Sequence, residues 1–162
     1  MADNAMDVYL NDHLAGATLG SDLAEQIRDR HEGTPLGEVM ASIATQVEED
    51  RQTLLDLMER MGTSKNPVKQ ATGWVAEKAS RAKFSGIVSR ERDHGAFVAL
   101  ESLTLGVEGK RSMWTVLKEI DSQYPALAST NLDELINRAG AQHAILENER
   151  LAAGARALAN IG

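Results

Sequence analysis

Apolar residues recur along this chain at alternating steps of three and four, the spacing that lines one face of a helix. Over about residues 3–30 the stripe is Met6, Leu10, His13, Ala17, Gly20, Ala24 and Ile27, with small residues at three successive places. His31-Glu32-Gly33 breaks it. Thr34-Pro35 restarts it as N-cap and first helical residue, where the missing proline N–H costs nothing. The second stripe, within about 34–61, is Leu36, Met40, Ile43, Val47, Asp50, Leu54, Leu57 and Met61, with a carboxylate in its middle. Gly62 closes it.

Asn66-Pro67 opens a shorter predicted helix, about 67–83, carrying Val68, Ala71, Trp74 and Val75. A third long helix is expected over about 91–122, ended by Pro125. Its stripe is Ala96, Leu100, Leu103, Val107, Trp114 and Leu117, interrupted by Lys110. Asn131 with Glu134 is close to a capping box for a last helix at 131–159. That helix carries Ile136, Ala139, His143, Leu146, Arg150, Ala153 and Ala157. No stretch reads as a strand. These elements predict a single all-α domain over 1–162, an antiparallel four-helix bundle with a long crossover that contains the short helix.

Polar groups inside the stripes are the informative departures, because a buried stripe tolerates them only when they are paired, hydrogen-bonded or metal-bound. His13, Asp50 and His143 occupy stripe positions and Glu108 lies at the edge of one. If the second and third helices run parallel, all four fall within about 5 Å along the bundle axis. Two readings follow. Iron, manganese or zinc suits mixed imidazole and carboxylate ligation. Alternatively the groups form a buried network neutralised by Arg51, Arg111 and Arg150, each three residues after a glutamate. The arginines favour the network, so no cofactor is expected.

Composition narrows the classes further. With no cysteine, a disulfide framework, a Cys-ligated metal and a thiol nucleophile are all excluded. The segment Met1–Asp7 lacks the features of a signal peptide and no apolar run is long enough to span a bilayer, so a cytoplasmic chain is expected. Net charge is −7, yet residues 63–92 hold seven Lys or Arg against two Glu, a net of +5. Within that connector Lys69, Trp74, Lys78, Arg81 and Lys83 form a candidate partner surface, with nucleic acid or an anionic membrane as the less favoured alternatives. Packing of Trp74 on the bundle is the simpler use. There is no Gly-x-Ser-x-Gly, phosphate loop or dinucleotide fingerprint. Glu101 and Glu108 share one helix face about 10 Å apart along the axis, which favours solvated or ion-paired acids over an acid/base pair. No catalytic residue is assigned.

The segments Tyr9–Ala17, Glu48-Glu49-Asp50-Arg51 and Leu105–Lys110, with the two-plus-two helix plan, resemble an actinobacterial group of ferritin-like proteins. That resemblance covers nearly the whole chain and implies a ferritin-like bundle. Its di-metal members use a Glu from each of two helices and a Glu-x-x-His from each of the others. Glu48/Arg51 and Glu147/Arg150 instead put a guanidinium in the place of the imidazole, and Arg cannot ligate a cation. Glu101 or Glu108 matches a lone-Glu position, and His13 stands where the first helix would carry an acid. The resemblance thus implies the fold with a degenerate metal site, a non-enzymatic structural or interaction module that forms a homodimer or meets a protein partner. The alternative is a divergent iron or manganese oxidoreductase or storage protein.

Overall fold

The computed structural model describes residues 4–63 and 92–159. Among them the chain is all-helical, with no strand. Helix α1 spans Ala5–Arg30 and α2 spans Pro35–Arg60. Thr34 makes the sharp turn between them. Its Oγ accepts from the Gly37 N–H at 3.2 Å and donates to the His31 carbonyl at 2.6 Å. A Cβ on Gly37 would stand 2.1 Å from that carbonyl oxygen, so the tight turn requires glycine there. Gly62, at φ +67°, ends α2 in the left-handed region that glycine adopts without strain.

Helix α3 covers Arg92–Glu119, three residues short of the expected end. A 3-10 turn at Asp121–Gln123 and a four-residue helix α4, Pro125–Ala128, follow it. Pro125 therefore starts a new helical turn rather than ending α3, which stops before the 3-10 turn. Helix α5 runs Leu132–Ala159. The Asn131 side chain accepts from the Glu134 N–H at 3.2 Å, the first half of the expected capping box, and its amide donates to the Glu134 carboxylate at 2.9 Å in place of the backbone bond of the second half. The helix expected at 67–83 lies outside the described residues.

Two apolar clusters fix the directions of the long helices. One joins the end of α1 (Leu23, Ile27), the start of α2 (Met40, Ile43), the start of α3 (Leu100, Leu103) and the end of α5 (Leu146, Ala153). The other joins the start of α1 (Leu10, Leu14), the end of α2 (Leu57, Met58), the end of α3 (Trp114, Leu117) and the start of α5 (Leu132, Leu135). So α1 and α2 are antiparallel, α3 and α5 are antiparallel, and α2 runs parallel to α3. Packing is closest between α3 and α5, then between α1 and α2, with α1 also against α3. Gly154 lets α5 approach α3, since a Cβ there would meet the Phe97 ring at 2.9 Å. By contrast α2 and α5 approach at few points. No described helix is long and apolar enough to cross a membrane.

Candidate functional site

Long polar side chains cross the gap between α2 and α5, and they meet at Asp50. This residue is 2% exposed and lies between the two apolar clusters. Both its oxygens are engaged. Oδ2 accepts from Lys110 Nζ of α3 at 2.5 Å and from Gln142 Nε2 of α5 at 3.0 Å. Oδ1 accepts from Arg138 Nε at 2.8 Å, and a terminal nitrogen of the same guanidinium lies 2.6 Å from it in an ion pair. Gln142, wholly buried, also accepts from Lys110 Nζ at 2.6 Å. Arg138 reaches on to the Gln46 carbonyl at 3.1 Å and to the Glu49 carboxylate at 3.1 Å. Three helices are thereby tied through one carboxylate.

Burial pushes the Lys110 ammonium below its ordinary pKa, the Asp50 charge opposes that shift, and Arg138 adds to it. The pair with Asp50 is what keeps a charge tolerable in an apolar layer.

The structure separates the four candidate site residues. Only Asp50 belongs to the buried network. His13 is half-buried, its ring edge-on to Tyr9 with centroids 4.6 Å apart, and burial lowers its pKa. Glu108 sits at the surface, 3.5 Å from Arg111. His143 is half-buried beside Gln142 in sequence. No hydrogen bond joins His13, Glu108 or His143 to Asp50 among the described residues. The reason is helical phase. Between the stripe residues Ala139 and Leu146 either 142 or 143 satisfies a three–four step, and α5 turns Gln142 inward. In α1 the same ambiguity falls between Leu10 and Ala17, and Leu14 is buried in place of His13.

The three arginines pair as their spacing allows. Arg51 grips Glu48 with two bonds of 2.7 and 2.8 Å, and Ser21 donates to the same carboxylate at 2.7 Å. The Arg51 guanidinium holds Glu48 below its ordinary pKa. Arg150 grips Glu147 at 2.7 and 2.8 Å and reaches Glu101 at 3.0 Å. These pairs flank the core, and the neutralising cations inside it are Lys110 and Arg138. Lys110 announced itself by interrupting the α3 stripe. Arg138 gave no signal in sequence, since it stands beside the stripe and enters the core by its length.

A cavity of about 240 Å³ opens beside this network, between α1, α2 and α3. Asp50 and Lys110 line it together with His13, Trp114 and several apolar side chains. Trp114 is wholly buried, and its indole N–H has no acceptor among the described residues.

A di-metal centre does not fit these residues. Asp50, the buried carboxylate of the core, already gives both oxygens to cations and an amide, and an ammonium cannot ligate a metal. No three His, Asp or Glu side chains converge to hold a metal among the described residues. One Glu-x-x-His spacing does occur, Glu91 to His94, at the start of α3; Glu91 lies outside the described residues and His94 is exposed. The candidate partner surface at Lys69, Trp74, Lys78, Arg81 and Lys83 also lies outside them.

The chain matches no known protein family, no curated protein and no solved structure.

Proposed function

We propose that this chain is a non-enzymatic ferritin-like bundle in which a buried ion cluster stands in place of a di-metal site. One observation carries the reading: Asp50 meets the ammonium of Lys110 and the guanidinium of Arg138 at mid-bundle. A cation is needed at that level, and two side chains supply it. The parallel run of α2 and α3, the two hairpins and the resemblance of Tyr9–Ala17 and Glu48–Arg51 support the ferritin-like arrangement. Such a core holds the helices in register without chemistry of its own.

Elemental analysis of untagged protein grown with iron, manganese and zinc tests the proposal. The expected result is no stoichiometric metal. A full equivalent of one metal, retained through purification and lost in Asp50→Asn, would restore the metalloprotein reading.

The interaction role rests on α5. Leu151 and Leu158 lie seven residues apart, on one helix face, and are 55% and 52% exposed. A second copy of the chain is the partner this reading assigns to that face. Sedimentation analysis should show a dimer that Leu151→Glu with Leu158→Glu converts to monomer. A wild-type monomer at cellular protein concentrations would remove this part of the proposal.

A further inference from the structure

Helices α1 and α3 carry glycines around one shared space. Gly16 and Gly20 on α1 and Gly106 and Gly109 on α3 all line the cavity that reaches α2. Glycine weakens a helix relative to alanine, so four of them inside two long helices need a reason. Backbone conformation is not the reason, since only Gly33 and Gly62 have positive φ among the described residues. Close packing is not the reason either. A Cβ on any of the four meets no atom within 4 Å, whereas one on Gly37 or Gly154 collides. Their effect is to keep open a space that side chains would narrow.

That space has an apolar floor and matched charges. Val47 and Leu54 of α2, with Leu103 and Met113 of α3, close its inner end, and each is at most 5% exposed. The floor is therefore the edge of the apolar core. Asp50 and Lys110 also border the space, but they hold each other, and Gln142 bonds to both. Arg138, the second cation on Asp50, has Glu49 as well. The Trp114 indole is wholly buried, which leaves its N–H out of a ligand's reach. Burial lowers the pKa of His13, so the imidazole in the wall is uncharged at neutral pH. An ion entering from water would lose hydration and find no free counter-charge. Water is poorly served too, since a held water needs about two to four polar partners. An uncharged apolar molecule meets neither penalty, and it releases the poorly bonded water it displaces.

We propose that this cavity binds a small uncharged hydrocarbon, aliphatic or aromatic, which lies over the glycine backbones of α1 and α3 with its inner end against Val47, Leu54, Leu103 and Met113. An apolar cavity of about 150 Å³ holds benzene, so about 240 Å³ suits a molecule of roughly nine non-hydrogen atoms. Binding of this kind goes beyond the proposed structural role and stands whether or not the chain dimerises.

The test uses the full chain, with n-propylbenzene as the probe. Its charged counterparts are 2-phenylethylammonium, which has the same shape, and 3-phenylpropionate. The readout is the methyl resonance of Met113 in a carbon-13 spectrum of methionine-labelled protein, assigned with Met113→Leu, since the chain has six methionines. Met40 and Met58, buried in the core but not lining the cavity, serve as internal controls. Propylbenzene should move the Met113 resonance saturably, at one equivalent per chain. Both ions should bind at least about tenfold more weakly. Gly109→Leu, which places a side chain in the open space from α3, should abolish binding. Gly20→Leu does the same from α1 and serves if the first variant fails to fold.

Four results would overturn the proposal. One is a Met113 resonance unmoved at the solubility limit of propylbenzene, or moved no more than those of Met40 and Met58. Another is an ion that binds as tightly as propylbenzene, which would mean that a charge in the cavity stands unmatched. A third is undiminished binding in a folded glycine-to-leucine variant. The last is a set of nuclear Overhauser contacts from the Met113 methyl to residues 64–91 in the free protein, which would assign the space to the chain itself.

Discussion

At the scale of single residues, Asp50 and its two cations dominate. A buried carboxylate with three donor side chains is stable only as a set, because removal of one member leaves the others desolvated and unmatched. Asp50→Ala strands Lys110 and Arg138 beside each other and should lower unfolding free energy by about 3–5 kcal/mol in metal-free protein. Lys110→Met leaves Asp50 paired with Arg138 and Gln142, so its loss should be clearly smaller. Urea unfolding of the two variants checks the order, and equal losses would show that Arg138 does not sustain Asp50 alone. A different residue answers to acid. Glu48 is held below its ordinary pKa of 4.5 chiefly by Arg51. Its contribution to stability is therefore present above 4.5 and is lost as pH falls through the lowered value. The unfolding midpoint should drop over that acid range, and less steeply in Arg51→Gln. Because Glu48 is 44% exposed, solvent screens the pair and the difference in slope will be modest.

At the scale of helices and turns, glycines divide into those that the packing needs and those it does not. Gly37→Ala drives a Cβ into the His31 carbonyl, and backbone cannot move aside as a side-chain tip would. A loss of about 1–3 kcal/mol is expected. Gly16→Ala and Gly106→Ala meet nothing and remove a weak helix former, so each should raise stability by about 0.4–1 kcal/mol. Thermal unfolding of the three variants should place them on opposite sides of wild type. The same elements show what a sequence can and cannot disclose. Helix-length stripes, Thr34-Pro35, Gly62 and Asn131 with Glu134 are local signals, and the ends of α1, α2 and α5 follow them to within two residues. The register inside a stripe is not local. A three–four ladder leaves the residue between Ala139 and Leu146 undecided, and the choice of Gln142 over His143 depends on where Asp50 and Lys110 stand on other helices. Helix α4 escaped notice because Pro125 reads equally as a stop and as a start.

At the scale of the whole molecule, the two hairpins are joined in two different ways. Helix α1 meets α3 through the side chains of the two apolar clusters, while α2 meets α5 mainly through side chains that span the gap. Apolar contact is insensitive to one missing charge. A gap bridged by hydrogen bonds is not, since the bridges share Asp50 and fail together. Loss of the network should therefore loosen one side of the molecule before the other. Asp50→Asn keeps the shape of the side chain but removes its charge, so Lys110 and Arg138 lose their counter-ion while the apolar clusters remain. Amide hydrogen exchange should then accelerate around Gln46–Asp50 of α2 and Arg138–Gln142 of α5. Protection at Leu23–Ile27 of α1 and Ala99–Leu103 of α3, inside an intact apolar cluster, should change much less. Uniform acceleration across all four long helices would instead mean that the ion cluster sustains the fold as a single cooperative unit.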